Sequence, residues 1–223
     1  MTYTVSLKLK PETYQQFQTI HSKLNNAERE PQAKLLGDNF ATIACEIIDQ
    51  AFGQLVDQSS SGDKDSQKAL KQVKDAIIKY MPWSVSFFGN DRLLPMVNHV
   101  NTLMYKQNDQ GYISYQVDKV LVNELLGCAE KMREGQSQYV VPGLKAFTKV
   151  VDQGVTSLVR EPKKMLKFNV VVNKTLDGVI ALTTQIGYKR FEKLSTLYDA
   201  QTITRYFDHF LVFLDNDAKN KAS

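Results

Sequence analysis

Histidine and cysteine, the side chains that most often serve as metal ligands, are scarce in this sequence. Its 223 residues include three histidines, His21, His99 and His209, and two cysteines, Cys45 and Cys128. No histidine forms an H-E-x-x-H or E-x-x-H motif or a Cys/His cluster, and such metal sites need several donors at fixed spacing. We therefore expect no metal site and no cofactor. The cysteines lie in apolar helical patterns and are expected to be buried thiols rather than a disulfide.

Motifs that hold phosphate groups or activate a nucleophile are also missing. The chain has no G-x-x-x-x-G-K-[ST] loop, no G-x-G-x-x-G after a predicted strand and no G-x-S-x-G elbow. Backbone amides therefore form no recognisable phosphate cradle, and no serine is marked as a nucleophile. No catalytic residue is predicted, and a non-enzymatic role is favoured. An enzyme or small-ligand receptor with a site assembled from dispersed residues is one alternative.

Long apolar runs are absent as well. No stretch of about 18 consecutive apolar residues occurs, and the most apolar segment, Phe210–Leu214, is too short for a bilayer. Met1–Lys10 lacks the apolar core and the small-residue cleavage site of a secretory signal. Hydrophobic residues make up 43% of the chain and charged residues 23%, which is ordinary for a folded protein. These features predict a folded cytoplasmic protein without a membrane span.

Strict alternation of apolar and polar residues marks the start of the chain. Odd-numbered positions from Tyr3 to Leu9 are apolar and even-numbered positions are polar, which predicts a half-buried strand over residues 2–10. A second strand is predicted at Phe168–Val172, which contains three consecutive valines. Because unpaired strands leave backbone groups without partners, these two are expected to pair.

Helical periodicity covers most of the remaining sequence. The clearest helix runs from about Gln32 to Asp57, and its wide apolar arc is typical of a central core helix. Other helices are predicted near 11–24, 65–81, 92–106, 114–133, 141–159, 176–197 and 200–214. The predicted fold is mainly α: a single-domain bundle over residues 1–214, with about eight helices and a small sheet of two or three short strands. Residues 215–223 are predicted to form a disordered polar tail.

Positive charge is unevenly distributed along the chain. The formal net charge is +4, yet residues 141–223 contain 13 basic and 8 acidic side chains. The candidate polyanion-binding residues in this region are Arg160, Lys163, Lys164, Lys167, Lys189 and Arg190. Such a cluster can attract phosphates, nucleic acid or an acidic partner, whereas a solvated surface is the simpler interpretation.

Three aromatic residues, Trp83, Phe87 and Phe88, form a second candidate site. They lie in an apolar connection between two predicted helices. Such side chains can line a pocket or a partner groove, although filling the core is their commoner role. With no catalytic motif and much apolar helix surface, we expect a non-enzymatic protein-interaction or self-association module. A further alternative is an accessory or regulatory protein that contacts nucleic acid or another polyanion through residues 160–193.

Overall fold

A computed structural model of the chain describes residues 3–57 and 64–216, although not the side chains of residues 54–57, Arg190 and Asn216. Within these residues the fold is mainly helical, with eight helices of 12 or more residues and a small four-stranded antiparallel sheet. The predicted fold class is therefore confirmed. No helix in the described ranges is both long enough and apolar enough to cross a membrane.

The sheet joins distant parts of the chain. Its strands are β1 (Tyr3–Leu9), β2 (Met104–Gln107), β3 (Gln110–Val117) and β4 (Leu214–Asn216), in the order β2-β3-β1-β4. Val5 of β1 lies opposite both Tyr115 of β3 and Leu214 of β4. The alternation read from the sequence places Val5, Leu7 and Leu9 in the core, so the predicted N-terminal strand is confirmed over its described residues.

The described residues form nine helices, and some of them begin at a proline or a capping side chain. They are α1 (Pro11–Asn25), α2 (Ala33–Asp57), α3 (Lys64–Val85), α4 (Asn90–Thr102), α5 (Lys119–Arg133), α6 (Val140–Val155), α7 (Glu161–Met165), α8 (Val170–Leu197) and α9 (Ala200–Leu211). Pro11 occupies the first turn of α1, and the side chains of Asp118 and Asp199 accept backbone N–H groups at the starts of α5 and α9. A π-helical turn, Thr156–Arg160, connects α6 to α7.

An aromatic cluster holds the helices together behind the sheet. Phe147 of α6 is 4% exposed. Its ring centroid lies 4.8–6.2 Å from those of Phe52, Phe191, Phe207 and Phe210, which come from α2, α8 and α9. Edge-to-face and tilted arrangements dominate these contacts, as expected of packed aromatic rings. The predicted core helix α2 thus packs against the C-terminal part of the chain.

The predicted strand at Phe168–Val172 is wrong. Phe168 and Asn169 precede α8, and the three valines form the first turn of that helix. The Asn169 side chain accepts the N–H of Val172, which caps the helix at this position. Capping and the long helix that follows outweigh the modest preference of valine for strands.

The partner of β1 is instead a hairpin that sequence periodicity did not indicate. The helix predicted near 92–106 ends at Thr102, and the helix predicted from 114 begins at Lys119. Asn108 and Asp109 have φ angles of 48° and 63°, and Gln107 pairs with Gln110 across this two-residue turn. Asn and Asp tolerate these positive φ values, which a tight hairpin turn requires.

The C-terminal boundary also differs from the prediction. Asp215 and Asn216 belong to β4, opposite Thr4 and Tyr3, and so form part of the sheet. The rest of the predicted tail, residues 217–223, lies outside the described residues. Three residues are too few to show the alternation that predicts a strand, so the sequence alone did not indicate β4.

Candidate functional site

Two of the predicted polyanion-binding residues are neutralised inside the fold. The Arg160 guanidinium donates to Asp152 over 2.8 Å, and the Lys163 ammonium donates to Asp177 over 2.7 Å. Lys163 also donates to Asn173, and its side chain is only 12% exposed. These two cations therefore tie the segment 160–163 to α6 and α8.

The other predicted cations do not form one patch. Lys164 and Lys167 are exposed beside the connection between α7 and α8. Lys189 is exposed on α8, ~28 Å along the helix axis from Val170 at ~1.5 Å per residue. The Arg190 side chain is outside the described part of the chain. The predicted cluster is thus reduced to Lys164 and Lys167 at one end of α8.

The predicted aromatic group divides between core and surface. Phe88 is 7% exposed, and its ring packs edge to face on Phe168 at 4.9 Å. Trp83 is half-buried and lies 5.0 Å from Phe87, edge to face. Phe87 itself is 51% exposed, although it is a large apolar side chain. Core filling therefore explains Phe88 but not Phe87.

Arg92 brings the remains of both predicted groups together. Its guanidinium donates to the carbonyl oxygens of Leu166 and Lys167 at 3.0 and 3.1 Å, and it lies over the Phe88 ring at 4.7 Å. These contacts clamp the start of α4 to the α7–α8 connection. Sequence reasoning missed Arg92. Its partners Leu166 and Lys167 lie 74 and 75 positions further along the chain, and no local pattern relates residues at that separation.

The surface around this clamp combines apolar and basic side chains. We call it the junction surface, and it consists of Phe87, Lys164, Met165, Lys167, Val170 and Val171. Phe87, Val170 and Val171 are 51, 70 and 75% exposed. The contacts of Phe88 with Phe168 and of Arg92 with Leu166 and Lys167 bring the segment that contains Phe87 to the start of α8. Exposed large apolar residues on neighbouring segments favour a surface for interaction.

A second polar cluster surrounds the π-helical turn. The Asp152 carboxylate accepts the Tyr188 hydroxyl at 2.5 Å and Arg160 at 2.8 Å, and Arg160 also donates to Thr156. Burial and the neighbouring Asp152 raise the pKa of Tyr188 above its usual range, so its hydroxyl stays protonated. The cluster borders an open groove of about 630 Å³ that includes Lys149. Both donors contact the same oxygen, Asp152 Oδ1, which joins α8 and the π-helical turn to α6.

The face of the sheet that points away from the hydrophobic core presents polar and aromatic residues. We call it the outer sheet face, and its described members are Thr4, Ser6, Lys8, Tyr105, Tyr112, Ser114 and Gln116. The Tyr105 and Tyr112 rings are parallel to within 8°, with centroids 5.0 Å apart. Burial raises the pKa of Tyr105, whose hydroxyl hydrogen-bonds with Ser6. Sequence reasoning missed this face because it missed the hairpin that builds it.

His209 and the two cysteines lie in structural surroundings, whereas His99 Nε2 is buried without a hydrogen-bond partner among the described residues. His209 contacts the Gln50 carbonyl oxygen through Nε2 at 2.7 Å. Cys45 and Cys128 are both free thiols, and burial raises the pKa of each. No group of three or more His, Cys, Asp or Glu side chains is placed to hold a metal ion within residues 3–57 and 64–216.

Comparison with known proteins gives no match: no protein-family model, no curated protein and no solved structure resembles this chain.

Proposed function

We propose that this chain is a non-enzymatic protein-interaction module, and that the junction surface docks a partner segment carrying apolar side chains flanked by carboxylates. The observation that supports this proposal is the exposure of Phe87, Val170 and Val171 beside Lys164 and Lys167. Burying exposed apolar area is the main driving force of protein association, at about 25 cal/mol per Å² of apolar surface. An apolar centre with a charged rim is the usual anatomy of an interface.

Charge favours an acidic partner over a second copy of this chain. Arg160 and Lys163 have carboxylate partners, whereas Lys164 and Lys167 take part in no ion pair among the described residues. A two-fold dimer through this surface would place lysines of one copy near lysines of the other, which is unfavourable. A partner with carboxylates at the rim relieves that repulsion and speeds association.

Charge also makes this surface a poor nucleic-acid site. Of the predicted cations, only Lys164 and Lys167 are exposed at this surface, and each phosphate contact adds close to one unit to the salt dependence of binding. Two such contacts supply weak, nonspecific attraction, which the apolar residues between them would not strengthen. Polyanion binding through residues 160–193 is therefore less well supported than protein docking.

Selection from a displayed peptide library tests the proposal. We expect the enriched sequences to combine aromatic or aliphatic residues with Asp or Glu. A synthetic peptide of the enriched sequence should bind the Lys164→Glu/Lys167→Glu variant at least about tenfold more weakly than the wild type, since a 1.4 kcal/mol loss corresponds to a factor of ten. A thermal melt should show that this variant is folded.

The matched control makes the same change in net charge at the other end of α8. Lys189→Glu/Lys193→Glu should leave peptide affinity unchanged, because these lysines are exposed and distant from the junction surface. Equal loss of affinity in both variants would show that net charge, rather than this surface, governs binding. A dimer in light scattering that Phe87→Glu dissociates would show that a second copy occupies the surface, and would contradict the acidic-partner proposal.

A further inference from the structure

We infer that the outer sheet face binds single-stranded nucleic acid, by stacking bases on the Tyr105–Tyr112 pair and by contacting phosphate through Lys8. This inference concerns a different surface from the proposed protein-docking site and stands independently of it. It rests on three observations: the openness of this face, the fixed position of the tyrosine rings and the placement of the cation.

The two faces of the sheet differ in exposure. Val5, Leu7 and Leu9 are no more than 2% exposed on the inner face, whereas Lys8 and Gln116 on the outer face are exposed. Tyr105, Tyr112 and Ser114 are half-exposed, whereas Ser6, the register partner of Ser114, is only 9% exposed. A sheet with one face on the core and one face toward solvent usually carries only scattered polar residues outside. On this face the Tyr105 and Tyr112 rings stack on each other as a cross-strand pair, which leaves the outward side of each ring for a ligand.

The tyrosine rings are held in place from both sides. Tyr105 lies directly opposite Tyr112 in the β2–β3 register, which brings the rings into parallel contact. A hydrogen bond with Ser6 forms part of the environment of the Tyr105 hydroxyl. Rings whose orientation is already fixed lose little conformational freedom when a flat ligand stacks on them.

The nearest cation on this face is equally well positioned. Lys8 is the direct register partner of Tyr112. The Lys8 N–H donates to Gln50 Oε1 at 3.0 Å, and the Lys8 carbonyl accepts from Gln50 Nε2, so its backbone is fixed while its side chain stays exposed. Asp215, the acidic residue that pairs with Thr4, lies ~13 Å from Lys8 along β1 at ~3.3 Å per residue. Lys8 and the tyrosine rings are therefore adjacent, whereas the Asp215 carboxylate lies farther from Lys8 but close enough to Tyr105 to help raise the pKa of its hydroxyl.

Aromatic rings beside a lysine on an open antiparallel sheet match the chemistry of single-stranded nucleic acid. Every base has a π-face that stacks on aromatic side chains without sequence preference, and four-stranded sheets present such rings to unpaired bases. The hydroxyl and amide groups of Ser114 and Gln116 add hydrogen-bonding capacity next to the rings. A duplex keeps its bases stacked on each other, so it does not offer the surface that these tyrosines require.

Fluorescence anisotropy with labelled ten-nucleotide oligouridine and oligothymidine tests the inference on the full chain. We expect dissociation constants in roughly the 10⁻⁶ to 10⁻⁴ M range at low salt. Tyr112→Leu should weaken binding at least about fivefold, because stacking on the ring is lost, while Tyr112→Phe should bind like the wild type. Lys8→Gln should reduce the salt slope by about 0.7, the value for one phosphate contact to a single strand.

An abasic oligonucleotide with the same number of phosphates separates stacking from charge. It should bind at least about fivefold more weakly than oligothymidine, since it has no bases to stack. Equal affinity for the abasic strand, or binding that Lys164→Glu/Lys167→Glu abolishes while Tyr112→Leu does not, would overturn the inference. Failure of both oligonucleotides to bind the folded wild type at low salt would overturn it as well. Thermal melts of each variant establish that lost binding is not lost folding.

Discussion

At the scale of single residues, buried polar groups hold this fold in register. Glu46 of α2 is 8% exposed and accepts the Lys10 N–H at 3.0 Å and the Thr13 hydroxyl at 2.7 Å. The side chain of Lys10, the residue before α1, makes no cap of its own. A glutamate 36 positions away in sequence therefore satisfies the start of α1, and this arrangement joins β1, α1 and α2.

Replacing this glutamate should be costly. We expect Glu46→Ala to lower the free energy of unfolding by about 1–3 kcal/mol, because the buried Thr13 hydroxyl and the part-buried Lys10 N–H lose their acceptor. Asp49→Ala on the same helix should cost no more than about 0.5 kcal/mol, since the exposed pair of Asp49 with Lys74 is a surface salt bridge. Urea unfolding of both variants measures the difference. A larger loss for Asp49→Ala would contradict the structural role given to Glu46.

The two thiols should react slowly in the folded protein. Burial raises the pKa of Cys45 and, with help from Glu124, that of Cys128, so little thiolate exists at pH 8. Labelling with Ellman's reagent should be much slower than in urea, and the native rate should keep rising at pH values above the ordinary thiol pKa. Rapid labelling of Cys128, which is 7% exposed, would show that α5 opens readily.

At the scale of elements, α6 connects the sheet to the C-terminal helices. Phe147 faces the aromatic cluster, whereas Gly154 faces the sheet, where a Cβ atom would lie 2.7 Å from the Tyr115 ring. The helix then widens into the π-helical turn, which turns Arg160 toward Asp152. Single π turns inside helices often occur at sites with a special geometric demand. Here the π-helical turn connects α6 to α7 and places Arg160 beside Asp152, which also binds Tyr188 of α8.

Truncation inside the aromatic cluster should affect the whole helix layer. We expect Phe147→Ala to reduce stability by about 3–5 kcal/mol, because it removes contacts with four other rings and leaves a cavity. Val141→Ala on the same helix is the matched control, and it should cost less than about 0.5 kcal/mol because Val141 is 48% exposed. Calorimetry on both variants measures this. Similar melting temperatures for the two variants would contradict the orientation of α6 in which Phe147 is buried and Val141 is exposed.

At the scale of the whole molecule, β1 links the two ends and the middle of the chain. It pairs with β3 on one side and with β4 on the other, and Gln50 of α2 bonds to its backbone beyond the end of β4. Pairing between segments this distant in sequence closes large loops, whose entropy cost is met only when the complete sheet and core form. The N-terminal strand is therefore expected to fold together with the rest.

Deletion of residues 1–10 should destabilise the entire protein. Without β1, β3 and β4 lose their common partner and the buried side chains of Val5, Leu7 and Leu9 leave the core. Circular dichroism should show loss of the cooperative thermal transition, or a large fall in its midpoint. An unchanged melting temperature would show that β1 contributes nothing to the stability of the fold.

What the sequence determined by itself was local. Alternation over Tyr3–Leu9 and helical periodicity elsewhere predicted β1, the core helix α2 and the mainly helical class, because these patterns report which side of an element is buried. Pro11 marked the start of α1, because its fixed φ angle suits the first turn of a helix. The cluster of basic residues and the aromatic group were identified, although only parts of each remain at the surface.

What only the tertiary structure decided was which segments meet. Phe168–Val172 has the composition of a strand, yet it finds no strand partner there and begins α8. The outer sheet face depends on the register between β1 and the β2–β3 hairpin, which lies about a hundred residues further along the chain. The junction surface likewise depends on Arg92 reaching the carbonyl oxygens of Leu166 and Lys167. Contacts between distant segments have no periodic signature, because they are set by packing of the complete core rather than by neighbours along the chain.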